Sequence, residues 1–378
     1  MKSLHKETQA IKSVQALQDE VKPVAMPIYL STTYEREPDG GYKNDYIYSR
    51  NANPNRTLLE NSLALLEGGA VAYAFSSGMA AITAVLQLLK TGDHILLPDD
   101  VYYKIRMVLD ETFERWGLSY SLVDMSDVKS VSSAIKENTK LIWLETPSNP
   151  MLKITDIVAV SNLAKSRGIL TVVDNTWATP ILLNPLNLGA DIVIHSTTKY
   201  FGGHSDVLGG AVICKESNEL SQSLQHIQVG GGAVPSPFDS WLIARGISTL
   251  PLRIKAQSQT AMQLAQYLES HTAIEQVYYP GLESHAGYDI AKAQMNEYYG
   301  AMLSIQIKRG EQVARKVCNA LKLFTQATSL GGVESLVEHR KSVEGPDSYT
   351  PENLLRISVG LEHVEDLIAD FDEALKLQ

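Results

Sequence analysis

The sequence predicts an α/β fold: a doubly wound, mostly parallel sheet, followed by a smaller α+β C-terminal unit. Three observations carry this prediction. Two short β-branched runs, Leu170–Val173 and Asp191–Ile194, each lead into polar residues, Asp174 after the first and His195, Ser196, Thr197, Thr198 and Lys199 after the second. Runs of that kind suit strands of a parallel sheet buried on both faces. Strand-like and helix-like patterns alternate from Val71 onward, as crossover connections require. The chain has 378 residues, which exceeds the usual size of one domain, so a large unit and a smaller one are expected.

Taken in order, residues 1–45 read as an arm. A short polar helix candidate is followed by VKPVAMPIYLSTTYE, where Pro23 and Pro27 favour extended chain. Residues 46–245 form the expected large unit. It begins with YSRNANPNRTLLE, an Asn-rich loop that enters a helix through Leu58, Leu59 and Leu66. In that loop Arg50 offers a planar fork of donors and Tyr48 a hydroxyl, a pair able to clamp a phosphate ester. Val71 to Phe75 is a strand, and Ser76, Ser77 and Gly78 open a helix through Ile82, Val85 and Leu88. Free N–H groups and a positive dipole end there suit a phosphate, although ordinary strand-to-helix turns look the same.

Further strands are expected at His94 to Leu97 and Lys140 to Leu144, the latter ending in ETPSNP. Thr155 is expected to cap a helix through Ile157, Val160 and Leu163 that returns the chain to the Asp174 strand. VLGGAVICK gives one more strand, and VGGGAVPSPFDSWLIARGISTLPLR reads as a hinge with its boundary near Gly246. Residues 246–378 then supply a helix from Gln257 to His271, strands at Gln276 to Tyr279 and Met302 to Ile307, and a helix from Glu311 to Leu321.

Strand C-termini of an open α/β sheet share one rim, so Asp174 and Lys199 are expected to face one small molecule. A lysine amine forms a Schiff base with a carbonyl, and a carboxylate keeps a heteroaromatic nitrogen protonated. Together they describe pyridoxal 5′-phosphate, with Ser196 and Thr198 placed to donate to its phosphate.

Composition narrows the alternatives. Hydrophobic residues make up 44% and charged residues 20%, as in ordinary globular chains. A formal charge of −10 argues against general binding to nucleic acid or anionic membranes. Cys214 and Cys318 give no disulfide framework and read as small core residues. The nine histidines show no metal-ligand spacing, so no metal is expected. No run reaches transmembrane length, and MKSLHKETQAIKS lacks a signal-peptide core, so the expected compartment is the cytoplasm.

The block VVDNTWATP followed by HSTTKYFGGHSD, with YSRNANP, SSGMAA, PSPFDSWL, SLGGVESL and NLLRISVGLE, resembles the Cys/Met-metabolism family of pyridoxal phosphate enzymes across almost the whole chain. The resemblance implies the type I, aspartate aminotransferase-like fold. It implies Lys199 as Schiff-base lysine and Cα base, and Asp174 as pyridinium partner. Gly78 and Met79 become phosphate-binding backbone, and Asn149 a donor to the ring hydroxyl. Tyr102 becomes the stacking and catalytic tyrosine, with Tyr103 a possible substitute. Ser329 and Arg356 hold the α-carboxylate of an amino-acid substrate. Tyr48 and Arg50 reach the cofactor of the neighbouring subunit, which implies a homodimer with shared sites and, by family habit, a homotetramer.

Within that family the lead is a cystathionine γ-synthase or γ-lyase type enzyme, performing γ-replacement or γ-elimination. Cystathionine β-lyase and methionine γ-lyase are the alternatives. Departures fall at Tyr103, Lys104 and Ile105, where small residues are usual; at Thr328, commonly Glu; at Tyr298 to Ala301; and at His339 to Gly345, where the usual motif is HPASMTH. Two other classes compete: a non-catalytic, cofactor-binding regulator, and a nucleotide oxidoreductase, for which no GxGxxG follows the first strand.

Overall fold

The computed structural model describes residues 4–15, 23–345 and 348–376. The strand-forming runs of the first 214 residues build one sheet. Its strands are β1 (Val71–Phe75), β2 (His94–Pro98), β3 (Ser119–Val123), β4 (Thr139–Glu145), β5 (Leu170–Asp174), β6 (Ile192–His195) and β7 (Gly210–Cys214), in the order β1-β7-β6-β5-β4-β2-β3. Five of them, β3, β2, β4, β5 and β6, run parallel to one another. β7 runs antiparallel between β6 and β1.

Side chains alternate between the two faces of this sheet, and both faces are buried. Ile95, Trp143, Val172 and Ile194 pack into one apolar layer; Leu96, Leu144, Val173 and Val193 pack into the other. The second layer continues into a five-stranded sheet formed by β8 (Ile274–Tyr278), β9 (Met302–Ile307), β10 (Thr325–Gln326), β11 (Leu336–His339) and β12 (Leu354–Ser358). The order there is β10-β11-β12-β9-β8, antiparallel except for β10 on β11.

Local chemistry sets the helix starts. Asn53 accepts from the N–H groups of Asn55 and Arg56, and Pro54 occupies the first position of the helix Pro54–Glu67, where a missing N–H costs nothing. Ser77 caps Gly78–Leu86 by accepting from the Ala80 N–H at 3.1 Å. The expected cap at Thr155 is incorrect. Asp156 caps Ile157–Ser166 through the Ala159 N–H, while the Thr155 N–H is spent on the buried Thr146 hydroxyl.

The helix expected from Gln257 starts earlier and spans Leu250–Ser270, because Pro251 falls in its first turn, where proline is tolerated. Gly246, the expected hinge, lies inside the helix Pro237–Ile247; a Cβ there would sit 2.2 Å from the Phe201 carbonyl oxygen. No helix among the described residues is long and apolar enough to cross a membrane.

Candidate active site

The rim where β4, β5 and β6 end carries three polar residues in a row. Glu145 and Asp174 are the last residues of β4 and β5 and stand opposite each other in the strand register. Lys199 follows β6 in a turn whose Gly202 N–H returns to the Thr197 carbonyl. Two strands away, β1 ends in the Ser77 cap and the helix that begins at Gly78. These elements and the second sheet enclose a cavity of about 260 Å³.

Of the residues expected from sequence, Gly78, Met79, Tyr102, Asn149, Asp174, Ser196, Thr198, Lys199, Ser329 and Arg356 all line that cavity. Tyr48 and Arg50 do not. Both are exposed, with Arg50 donating to the Val229 carbonyl at 2.8 Å and its guanidinium 5.7 Å from the Tyr48 ring centre.

Charge is concentrated at one end. Lys199 Nζ donates to Ser329 Oγ at 2.7 Å, and Arg356 Nη2 donates to the Ser329 carbonyl at 3.1 Å. Ser329 thus carries the amine on its side chain and the guanidinium on its backbone. It does so at φ 97°, in the region that side chains rarely adopt, a strain costing about 1–3 kcal/mol that the surrounding contacts must hold. Burial, reinforced by the Arg356 cation, lowers the Lys199 amine to a pKa of about 8. Arg356 Nη1 donates to Asn149 Oδ1 at 3.1 Å, which leaves the Asn149 amide hydrogens for another acceptor.

Burial raises the Asp174 carboxyl, opposed by hydrogen bonds from Thr176. It raises Glu145 more strongly, with Asp174 as the second cause. Both carboxyls are thus pushed toward the protonated form, Glu145 the more strongly of the two. The Tyr102 N–H donates to Glu145 Oε2 at 3.0 Å, and the Tyr102 ring meets Tyr103 edge-on at 5.4 Å.

The anion-facing end is made of backbone in close approach. A Cβ on Gly78 would lie 2.9 Å from Ser196 Cβ, one on Gly210 would lie 2.1 Å from the Ser77 carbonyl oxygen, and one on Gly209 would lie 2.3 Å from Thr197 Oγ1. The Thr198 hydroxyl already donates to the Gly209 carbonyl and accepts from its N–H, so Ser196 is the less committed of the two expected hydroxyls.

This donor set fits pyridoxal 5′-phosphate. A helix N-terminus and a hydroxyl suit its phosphate, the buried Asp174 its ring nitrogen, the Asn149 amide its ring oxygen, a flanking Tyr102 its face, and a lysine of lowered pKa its aldehyde.

The sequence reading missed Glu145, Thr176, Trp177 and Glu338, and met Arg340 only as one of the departures from the family's motif at His339 to Gly345. Thr176 donates its N–H to Asp174 and accepts from the Ser196 N–H, so it ties the two strand ends together. Glu145 had the same signal as Asp174, an acid ending a buried strand. Glu338 stands opposite Arg356 in the β11–β12 register, pairs with it at 2.6 Å, and bonds Arg340 at 2.7 Å. Among the described residues no cluster of three or more His, Cys, Asp and Glu could hold a metal.

Comparison with known proteins agrees along the whole chain. A sequence profile for the Cys/Met metabolism PLP-dependent enzymes matches residues 7–376. The chain is 45% identical over 358 residues to a cystathionine γ-synthase of Mycobacterium tuberculosis, covering 93% of this chain and 92% of that protein. It is 47% identical over 366 residues to a cystathionine γ-lyase of Bacillus subtilis, covering 93% and 94%. Among solved structures, metB from Corynebacterium glutamicum superposes with a TM-score of 0.96 at 43% identity, covering 99% of this chain and 98% of that one. With its fold, its lysine-and-aspartate rim and this full-length match, the chain belongs to the Cys/Met-metabolism family of PLP-dependent enzymes, and pyridoxal phosphate is its cofactor.

Proposed function

We propose that this enzyme is a transsulfuration catalyst of the cystathionine γ-synthase or γ-lyase type, acting at the γ carbon of a homoserine-derived or sulfur amino acid. The observation that carries the reading is the hold of Ser329 on both Lys199 and Arg356. It sets a proton acceptor beside a carboxylate anchor, as removal of a Cα proton from an amino acid requires. The similarity to both a synthase and a lyase supports the reaction class.

In this reading Arg356 receives the substrate carboxylate as a two-bond fork. Lys199, its pKa lowered by burial and the neighbouring cation, takes the Cα proton and returns protons farther along the side chain. Asp174 would face the ring nitrogen and keep the pyridine ring charged; the cofactor would supply the electron sink. Tyr102 covers the ring, Asn149 donates to its oxygen, and Gly78, Met79, Ser196 and Thr198 hold the phosphate.

We also propose a cytoplasmic homodimer that pairs into a tetramer. Its support is the exposed position of Tyr48 and Arg50, off the cavity of their own chain, where they would serve a neighbour's phosphate. The division into an arm (1–45), a cofactor unit (46–245) and a C-terminal unit (246–378) is proposed with it; every strand of the first sheet lies before residue 215 and every strand of the second after residue 273.

The test is product analysis of the cofactor-loaded protein given an O-acylhomoserine with and without cysteine. Cystathionine formed only with cysteine marks the synthase. If the acylhomoserine is ignored, cystathionine itself is the next substrate, with 2-oxobutanoate marking a γ-lyase and pyruvate a β-lyase. No turnover of any of these would refute the reading, as would an unchanged visible cofactor band in Lys199→Ala.

A further inference from the structure

Arg340 stands where the family's usual motif has proline, and it is only 2% exposed. Its Nε donates to Glu344 Oε1 at 2.7 Å and its Nη1 to Glu338 Oε1 at 2.7 Å. Glu344 is itself fixed, because its other oxygen accepts from the Ser348 and Thr350 hydroxyls. One edge of the Arg340 guanidinium is therefore anchored at the first residue of the helix Arg340–Glu344, and the Tyr103 ring lies 5.8 Å away.

The other edge is unfinished. Among the described residues Arg340 Nη2 and Glu338 Oε2 are both buried without a hydrogen-bond partner, although the two side chains already touch through Nη1 and Oε1. The Glu338 oxygen that is bonded is shared, since Arg356 Nη2 lies 2.6 Å from the same Oε1. Glu338 is thus split between two arginines, each of which lines the cavity.

We propose that Glu338 is an internal stand-in for the substrate carboxylate, and that Arg340 is the positioning residue that takes it over when substrate arrives. This rests on the reading that Arg356 binds the α-carboxylate. Before binding, Glu338 compensates the buried Arg356. As the substrate carboxylate reaches Arg356, the Glu338 carboxylate turns so that Oε1 and Oε2 meet Nη1 and Nη2 of Arg340. A shared single contact becomes a two-bond fork, both orphaned atoms find partners, and no covalent bond changes. Without Arg340, Glu338 would be left buried and unpaired beside the incoming carboxylate, which opposes binding. The effect is confined to the α-carboxylate, so it applies to every amino acid whatever its side chain.

The experiment uses the cofactor-loaded enzyme and titrates glycine, which has no distal group, against the visible cofactor band. Arg340→Met weakens glycine by at least about tenfold, as an unpaired buried charge requires. Glu338→Gln added to Arg340→Met restores glycine to within about threefold of Glu338→Gln alone, because the competing charge is gone. With substrate the Arg340→Met defect falls on KM, while kcat stays within a few-fold. Unchanged glycine binding in Arg340→Met, with only acylhomoserines bearing a distal carboxylate weakened, would instead make Arg340 a reader of the leaving group and overturn the proposal. A defect that persists in the double variant would also overturn it.

If Arg340→Met does not fold, Arg340→Lys keeps the charge and loses the fork; glycine affinity equal to wild type in that variant rejects the mechanism. Arg356→Met tests the underlying reading separately. It abolishes glycine binding whether or not Arg340 acts, and normal binding in it would remove the reading itself.

Discussion

The amine of Lys199 offers the sharpest quantitative check. An ordinary lysine amine titrates at 10.5, whereas burial, followed by the Arg356 cation, brings this one to about 8. At neutral pH the neutral, nucleophilic fraction therefore rises from about 1 in 3,000 to about 1 in 10, roughly 300-fold. In the protein stripped of cofactor, acetylation of Lys199 followed by mass spectrometry should climb with pH to a midpoint near 8. Arg356→Met removes the second cause and should move the midpoint upward. The same displacement fixes the sign of a stability effect. The unfolded chain holds the Lys199 proton up to 10.5 and the folded chain only to about 8, so between those values the unfolded state binds more protons and stability rises with pH. Below 8 the folded chain bears the full penalty of a buried cation, about 3 kcal/mol at 1.4 kcal/mol per tenfold step. The stabilisation gained by Lys199→Met in the cofactor-free chain should accordingly be larger at pH 7 than at pH 10. An acetylation midpoint near 10, or a gain independent of pH, would refute the reasoning.

Three further outcomes are expected. Gly78→Ala puts a Cβ 2.9 Å from Ser196 Cβ and 3.0 Å from its Oγ; overpacking of about 1–3 kcal/mol should weaken pyridoxal phosphate by about 5- to 150-fold in a direct titration, and unchanged affinity would take Gly78 out of the phosphate cradle. Ser329→Gly should exceed Ser329→Ala in thermal stability by about 1 kcal/mol, since both lose the hydroxyl that Lys199 uses but only glycine relieves φ 97°; equal stabilities would show that the backbone there is not strained. Inactive Lys199→Ala and Arg50→Leu chains, unfolded and refolded together, should regain about a quarter of wild-type activity, because half of the random dimers are mixed and each holds one intact site. No recovery would place Arg50 outside the neighbour's site.

Sequence alone was enough to bring Asp174 and Lys199 to one rim, because Asp174 ends one apolar run, Lys199 closes the polar segment after another, and strand ends of a parallel sheet converge. Glu145 ends β4 in the same way, yet the prolines that follow it made the segment read as turn chemistry. The direction of β7 was not legible, since a fully buried apolar run carries no mark of its polarity; pairing with β1 and β6 decides it. The Arg356–Glu338–Arg340 chain was hidden for another reason. It arises from the register of β11 on β12, which brings together residues that lie 18 apart, and only the structure supplies that register. Tyr48 and Arg50 were legible as a phosphate motif, but their own chain leaves them exposed, so the motif's destination cannot be read within a single protomer. Thr155 and Asp156 are both competent caps, and it is the Asp156 side chain that accepts from the Ala159 N–H.

The glycine-built rim bears on how such a chain diverges. Where Gly78, Gly209 and Gly210 pack against neighbouring residues, almost any substitution adds a clash, so random drift has little to work with at the phosphate end. The opposite wall includes the side chains of Tyr103 and Thr328, which lie outside the sheets' strands and can be exchanged without disturbing the rim. A duplicated gene can thus wander among leaving groups and acceptors while its descendants inherit one unaltered grip on the cofactor, and kinship would be more visible in the glycines than in the substrates.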